Sequence, residues 1–130
     1  TDGQDSENDE TITSQIMKIQ IGNAIFQVSL ANNETAAAFR TLLPMTITMN
    51  ELNGNEKYYN LPSELPTDVY RPGTIRAGDL LLYGSNCVVL FYETFSSPYS
   101  YTRIGRVDDP TGLAEAVGSG RVSVTFSLQE

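Results

Sequence analysis

The sequence predicts a mainly β domain folded as a small barrel, and three stretches carry this prediction. In residues 16–30, apolar and polar side chains alternate on both sides of a Gly-Asn pair, as in a β-hairpin. Residues 80–83 and 88–92 are continuous apolar runs joined by a Gly-containing loop, which is typical of a hairpin with both faces covered. In residues 122–128, apolar side chains alternate with Ser and Thr, the period of a strand with one buried face.

The first hairpin has a predictable register. A two-residue turn at Gly22-Asn23 suits a type I′ or II′ geometry and places Ile19 opposite Phe26 and Met17 opposite Val28. Both apolar sets then share one face, so the two strands can bury a common side.

A helix is predicted over the segment that follows the hairpin. Asn32 or Asn33 can cap the first free amides, and Glu34 complements the positive end of the helix. Alanines favour helix, and Pro44 ends it because the residue before a proline avoids the helical region. Leu42 and Leu43 are expected on the apolar face.

The rest of the chain alternates short strands with loops. Strands are predicted at residues 45–49, 57–59 and 104–107, and the turn 53–55 separates the first two. The proline-containing segment 61–73 is expected to be an irregular surface loop, and 94–102 a loop over one barrel mouth. Residues 111–117 are predicted to form one or two helical turns, with Thr111 as the cap and Gly118 as the stop.

Composition and charge limit the classes of function. A chain of 130 residues with 40% apolar content suits one soluble globular domain, and no apolar run is long enough to cross a membrane. The formal net charge of −8 argues against a nucleic-acid partner, because phosphate binding needs a basic surface. The oligomeric state is left open by the composition.

The N-terminal residues differ from the rest. Five of the sixteen acidic residues lie in the first ten positions, so residues 1–15 are predicted to be a disordered acidic tail or linker before a barrel domain at 16–130. One interpretation is a solvated terminus without function. The other is a spacer similar to those after the lipidated Cys of bacterial lipoproteins, which predicts an extracytoplasmic location, periplasmic or lipid-anchored.

Several chemistries lack the residues that they need. The chain has no His, so it offers no Ser-His or Cys-His nucleophile pair and no usual zinc set, and we predict no metal and no cofactor. The lone Cys87 is interpreted as a buried structural thiol, and Asp108-Asp109 as a turn rather than a cation site. Glu51 and Glu56 could support acid–base chemistry only if folding brought them together.

The order of these parts resembles that of the small bacterial and archaeal cyclophilin-like domains, whose functions are mostly unassigned. The resemblance spans about residues 16–129 and is carried by Leu42-Leu43-Pro44, Gly54-x-Glu56-x-Tyr58-Tyr59, Ala77-Gly78-Asp79-Leu80, Leu90-Phe91-Tyr92 and Ile104-Gly105-Arg106. It implies a closed eight-stranded β-barrel with a short helix at each end.

The resemblance also implies peptidyl-prolyl cis–trans isomerase activity, but the catalytic signature is missing. Cyclophilins hold the substrate proline with an Arg in a Phe-His-Arg strand, followed by Phe-Met-x-Gln-Gly-Gly. This chain has no His, no Trp and no Gln-Gly pair after its third strand. No catalytic residue is therefore predicted, since fold analogy does not supply a site.

A set of tyrosines with a few polar neighbours remains as the candidate site. Amphipathic rings with occasional guanidinium groups suit a groove for a peptide or small organic ligand. The candidate ligand-binding residues are Glu56, Tyr58, Tyr92, Tyr99, Tyr101, Arg103 and Arg71. Glu56 is the most specific polar candidate, because the resemblance includes it and because a turn glutamate next to tyrosines is well placed for a ligand amine or Arg.

Three alternatives to this ligand-binding module stay open. The aromatic residues could instead fill the barrel ends, as they more often fill cores than bind ligands. A diverged prolyl isomerase would place an arginine in the aromatic groove. A structural partner domain would expose a contiguous apolar patch rather than a pocket.

Overall fold

The computed structural model describes residues 16–128, and within them ten strands and two short helices are formed. The strands are β1 (Ile16–Ile21), β2 (Ala24–Leu30), β3 (Met45–Leu52), β4 (Glu56–Asn60), β5 (Thr74–Ile75), β6 (Asp79–Tyr83), β7 (Cys87–Phe91), β8 (Phe95–Ser96), β9 (Thr102–Val107) and β10 (Val122–Leu128). The helices are α1 (Glu34–Arg40) and α2 (Leu113–Val117). The predicted acidic tail lies outside the described residues.

Eight of the strands close a barrel in the order β1-β10-β3-β4-β7-β6-β9-β2, with every neighbouring pair antiparallel. The predicted closed eight-stranded architecture is therefore confirmed. The first hairpin has the predicted register, with Ile19 opposite Phe26 and Met17 opposite Val28. Its apolar side chains are buried in the barrel interior, so the hydrophobic pattern sets which face of each strand points inward.

The last strand follows its predicted alternation in the middle but not at its ends. Val124 and Phe126 are buried in the core, whereas Val122 is only partly buried and Leu128 is 38% exposed. The pairing of β10 with β1 begins at Leu128, so this side chain lies at the rim of the barrel.

The two helices cover opposite ends of the barrel, as expected. Helix α1 connects β2 to β3 at the end where β1 begins, and α2 connects β9 to β10 at the other end. Phe39 of α1 packs edge-to-face on Phe126, with 5.5 Å between the ring centroids. Leu113 and Val117 of α2 are buried in the same core, so both helices close the apolar interior.

Helix α1 begins as predicted and ends earlier than predicted. The side chain of Asn33 caps it by accepting a hydrogen bond from the Ala36 N–H at 2.7 Å. The regular helix ends at Arg40 rather than at Pro44, because the next amides donate to carbonyls three residues back and tighten the chain into turns. Leu42 consequently lies outside the helix and is 39% exposed, so its predicted place on the apolar face was wrong.

Helix α2 ends at Gly118 as predicted but is not capped by Thr111. The Thr111 N–H instead donates to Oδ1 of Asp109 at 3.1 Å, which continues the turn. The N-cap position is Gly112, whose φ of 82° suits a residue without a Cβ.

The central hairpin is buried on both faces, which explains its continuous apolar runs. Leu80 and Leu90 belong to the interior core, whereas Leu81 and Val89 belong to a second cluster on the outer surface of the barrel. The small sheet of β5 and β8 covers this outer cluster. The segment 94–102 therefore lies over the side of the barrel and not over its mouth.

The segment 61–73 contains no strand in the described structure apart from a single bridge between Tyr70 and Tyr101, as expected for an irregular loop. Leu61 and Leu65 attach it to the core. Across residues 16–128, helices of the length and hydropathy needed to span a membrane are absent.

Candidate functional site

An apolar groove of about 420 Å³ lies on the outer face of the barrel, between the β4-β7-β6 surface and the segment that contains β8. We call it the aromatic groove. Its lining consists of Leu52, Asn53, Asn55, Glu56, Tyr58, Tyr83, Cys87, Val89, Phe95, Ser96, Ser97, Pro98, Tyr99 and Tyr101. Its volume is within the range of ligand pockets, about 300–1,000 Å³.

The floor of the aromatic groove follows from strand alternation. Tyr58 pairs with Val89, and Tyr83 pairs with Cys87, so these side chains form one outward-facing layer across three strands. Glu56 lies two residues before Tyr58 on β4 and therefore belongs to the same face. The inward neighbours on β7, such as Leu90, fill the barrel core.

The opposite wall is built from aromatic contacts. The Phe95 ring lies 5.7 Å from that of Phe91, and the Tyr101 ring meets Phe91 edge-to-face at 5.6 Å. Tyr83 contacts both Tyr99 and Tyr101, with centroid distances of 6.2 and 5.7 Å. These contacts hold the phenol rings at the groove in fixed relative positions.

Two polar groups lie in this apolar setting. Burial, followed by the nearby charge of Glu51, raises the pKa of Glu56 above its ordinary value. Oδ1 of Asn55 is buried and accepts no hydrogen bond from the described residues. An unsatisfied buried acceptor costs about 1–3 kcal/mol, so a hydrogen-bond donor brought by a ligand would offset this cost.

The single cysteine is half-buried and lines the aromatic groove. Burial, followed by the charge of Glu56, raises the pKa of the Cys87 thiol, which disfavours the nucleophilic thiolate. The Cys87 thiol therefore lacks the lowered pKa of an activated nucleophile.

The structure brings four of the seven predicted site residues together. Glu56, Tyr58, Tyr99 and Tyr101 all line the aromatic groove. The other three, Tyr92, Arg71 and Arg103, lie elsewhere.

Tyr92 lies at the barrel end that α2 covers. Its hydroxyl donates to Oε1 of Glu51 at 2.7 Å, and its ring faces the ammonium of Lys57 at 5.5 Å. Lys57 is fully buried, forms a 2.8 Å ion pair with Glu51 and donates to the carbonyl of Gly120. These groups form a polar closure of the barrel end.

Glu51 and Glu56 lie in different environments. Burial raises the pKa of Glu51, but hydrogen bonds from Lys57, Tyr92 and the Gly54 N–H outweigh it and hold the pKa below its ordinary value. Glu51 is therefore part of the polar closure, whereas Glu56 lines the aromatic groove.

Arg71 and Arg103 lie beside a different cavity, next to β6 and β9. Nη2 of Arg103 donates to the Tyr70 hydroxyl at 3.1 Å, and Nη2 of Arg71 donates to the Pro98 carbonyl at 3.2 Å. The described lining of the aromatic groove contains no arginine.

Sequence reasoning missed several members of the groove and the buried lysine. Tyr83 could have been found by strand alternation, because it lies two residues after the outward-facing Leu81 on β6. Asn55 was interpreted only as a turn residue, and Lys57 as an ordinary polar position of a short strand. The sequence gives no local signal that its ammonium is buried.

The adjacent acidic residues Asp108 and Asp109 each hold a hydrogen bond within the fold. Asp108 accepts a hydrogen bond from Ser29 at 2.7 Å, and Asp109 holds the turn before α2. Among residues 16–128, no group of three or more Cys, Asp or Glu side chains is placed to hold a metal ion.

Comparison with known proteins places this geometry in a known fold. The solution structure of a hypothetical protein from Archaeoglobus fulgidus is similar, with a TM-score of 0.59 and 20% sequence identity over 90% of this chain and 96% of that one. At this identity the likeness shows the fold alone. No curated protein matches the sequence.

The sequence profile of the cyclophilin-like family matches residues 19–127, which covers the barrel from β1 to β10. The match agrees with the resemblance found in the sequence motifs and with the closed barrel. The chain belongs to the cyclophilin-like family.

Proposed function

We propose that this protein is a binding module that holds a peptide or small organic ligand in the aromatic groove and does not catalyse a reaction. The observation that carries the proposal is the pairing of a preformed apolar groove with one half-buried carboxylate, Glu56. Pockets for organic ligands are mostly apolar, with a few polar groups that fix orientation.

The lining favours one ligand chemistry over others. Phenol rings such as Tyr58 and Tyr101 offer flat apolar faces for a ring or an aliphatic side chain. Glu56 offers a negative charge that a ligand amine would neutralise, and Asn55 offers an acceptor without a donor. A compact apolar ligand with an amine, such as the free amino terminus of a short peptide, satisfies all three features.

A diverged prolyl isomerase is the alternative activity. That chemistry would be served by a guanidinium beside the substrate proline, whereas the described groove lining has none. A cis–trans isomerisation assay on an Ala-Pro peptide, with Arg71→Ala and Arg103→Ala alongside, tests it. We expect no acceleration, and acceleration that either substitution abolishes would replace the binding proposal with a relocated isomerase.

The binding proposal is tested by calorimetric titration with the tripeptide Phe-Pro-Ala amide, in its free-amine and N-acetylated forms. We expect the free-amine form to bind more tightly, because only it carries a charge for Glu56. Glu56→Gln should weaken binding of the free-amine form by about tenfold or more and bring it level with the acetylated one, because removal of a charged hydrogen-bond partner costs about 1.5–3 kcal/mol.

Two control variants separate the groove from the rest of the surface. Glu115→Gln makes the same change at an exposed position on α2 and should leave affinity within about twofold. Tyr99→Ala, at a 58% exposed groove residue, should weaken both peptides, whereas Val69→Ala, at a 61% exposed residue outside the lining, should not. Equal affinity of all variants, or no binding of either peptide, would refute the proposal.

A further inference from the structure

A second cavity, of about 520 Å³, lies beside β6 and β9 and is lined by four arginines. We call it the arginine cavity. Its charged lining consists of Arg71, Arg76, Arg103, Arg106 and Asp79. Four guanidinium groups thus surround a space with one lining carboxylate.

The strand geometry that creates this arrangement is a β-bulge. The register between β6 and β9 shifts between Leu80 and Leu81, so that Gly105 and Arg103 oppose these consecutive residues and Ile104 is the extra residue. Residues three apart on a regular strand face opposite sides, but the bulge lets Arg103 and Arg106 both face outward.

Gly105 lies on β9 between Arg103 and Arg106 and belongs to the lining of the arginine cavity. A Cβ at this position would lie 2.7 Å from the Ser29 carbonyl oxygen on β2. The glycine lets β2 and β9 approach closely, and its backbone contributes to the cavity lining between Arg103 and Arg106.

The protein's own acceptors satisfy these guanidinium groups only in part. Arg103 is held over the Tyr70 ring at 5.0 Å, an arrangement that fixes the plane of its fork. Arg106 is 3.9 Å from Oδ1 of Asp79, a long ion pair for a side chain that is 52% exposed. The other Asp79 oxygen accepts from the backbone N–H of Arg76, so this carboxylate is engaged in the turn.

The charge concentration is unusual for this chain. Its formal net charge is −8, with eight basic residues in all, and four of these eight line the one cavity. Like charges gathered in one cavity repel, and an anionic ligand would relieve this repulsion.

We propose that the arginine cavity binds a compact multivalent anion of the diphosphate or tricarboxylate type. Guanidinium forks bind both phosphate and carboxylate oxygens in pairs, so this class of ligand fits both geometry and charge. The site is separate from the aromatic groove and does not depend on the function proposed for it.

The test is calorimetric titration with pyrophosphate and with citrate, using acetate as the monovalent control. We expect pyrophosphate or citrate to bind at least about tenfold more tightly than acetate, with an affinity that falls as salt is added. A stronger response to pyrophosphate identifies phosphate as the recognised group, and a stronger response to citrate identifies carboxylate.

Variants locate the binding to the cavity. Arg103→Gln and Arg106→Gln should each weaken binding about tenfold, while Arg121→Gln, which removes the same charge at an exposed position outside the cavity, should change it less than about twofold. Arg103→Lys keeps the charge and should still weaken binding, because it loses the planar fork.

Circular dichroism would confirm that each variant is folded. Failure of both multivalent anions to bind, or undiminished binding by Arg103→Gln and Arg106→Gln, would overturn the proposal. Acetate binding as tightly as the multivalent anions would also overturn it.

Discussion

The substitution Glu51→Gln tests whether the buried ion pair with Lys57 holds the barrel end closed. The Lys57 side chain is 0% exposed, and its nitrogen lies 2.8 Å from Oε1 of Glu51, whose side chain is 25% exposed. Glutamine keeps the size and one acceptor oxygen of glutamate but removes its charge, so an ammonium is left buried without a counter-ion.

The expected loss follows from the environment of the pair. At a separation of 2.8 Å, the attraction is about 6 kcal/mol at an effective dielectric constant of about 20, before desolvation is subtracted. Breaking a fully buried pair costs about 3–5 kcal/mol. Because Glu51 keeps some solvent contact and glutamine keeps a hydrogen bond, we expect about 2–3 kcal/mol of lost unfolding free energy.

Urea denaturation measures this loss directly. With a slope of about 2 kcal/mol per molar, the midpoint of Glu51→Gln should fall by about 1–1.5 M. The control Glu115→Gln, at an exposed position, should stay within about 0.5 kcal/mol of the wild type. A Glu51→Gln midpoint as high as that of the control would refute the stabilising role of the ion pair.

The pH dependence supplies a second check on the same substitution. The pKa of Glu51 is lower in the folded protein than its ordinary value of 4.5, so in acid the unfolded chain takes up more protons than the folded one. The stability from Glu51 is therefore fully present above about pH 4.5 and is lost as the pH falls through the folded pKa. The gap between wild type and Glu51→Gln should narrow over this acidic range.

Three further substitutions have defined outcomes. Burial and the Glu51 hydrogen bond raise the pKa of Tyr92 to about 12. Tyr92→Phe should therefore remove the step at the highest pH from the phenolate absorbance titration and reduce the loss of unfolding free energy above about pH 10. An unchanged titration would contradict this. The pKa of Glu56 is raised in the folded protein above its ordinary value of 4.5, so its stability contribution is lost as the pH rises through the folded pKa. Urea curves should therefore show Glu56→Gln gaining stability relative to the wild type as the pH rises above about 4.5, and parallel curves would contradict this. Gly105→Ala should cost about 1–3 kcal/mol in the same assay because its Cβ would lie 2.7 Å from the Ser29 carbonyl oxygen, and an unchanged midpoint would contradict the close approach of β2 and β9.

The first hairpin shows what the sequence can predict about the fold. The two-residue turn at Gly22-Asn23 and the alternation on either side leave one register that buries both apolar sets, and this register is present. The continuous runs of the central hairpin likewise predicted cover on both faces. Sequence could not tell that β5 and β8 supply that cover, because these two-residue strands have no periodicity.

The candidate site was predicted from the clustering of aromatic residues along the chain, and such clustering does not show which face of the sheet each side chain occupies. Tyr58 and Tyr101 line the aromatic groove, whereas Tyr92, next to the outward Phe91, faces the other side of β7. Arg71 and Arg103 meet at a separate cavity only because the loop before β5 packs beside β9. Such long-range neighbours follow from the order of strands in the closed barrel, which pattern reading does not provide.

Backbone chemical-shift mapping with free-amine Phe-Pro-Ala amide is the most direct test of ligand binding in the aromatic groove. The proposal predicts that titration shifts the amide signals of Glu56, Tyr58, Val89, Tyr99 and Tyr101, and that Glu56→Gln reduces these shifts at a given peptide concentration. An absence of shifts, or shifts confined to residues outside the groove lining, would contradict it.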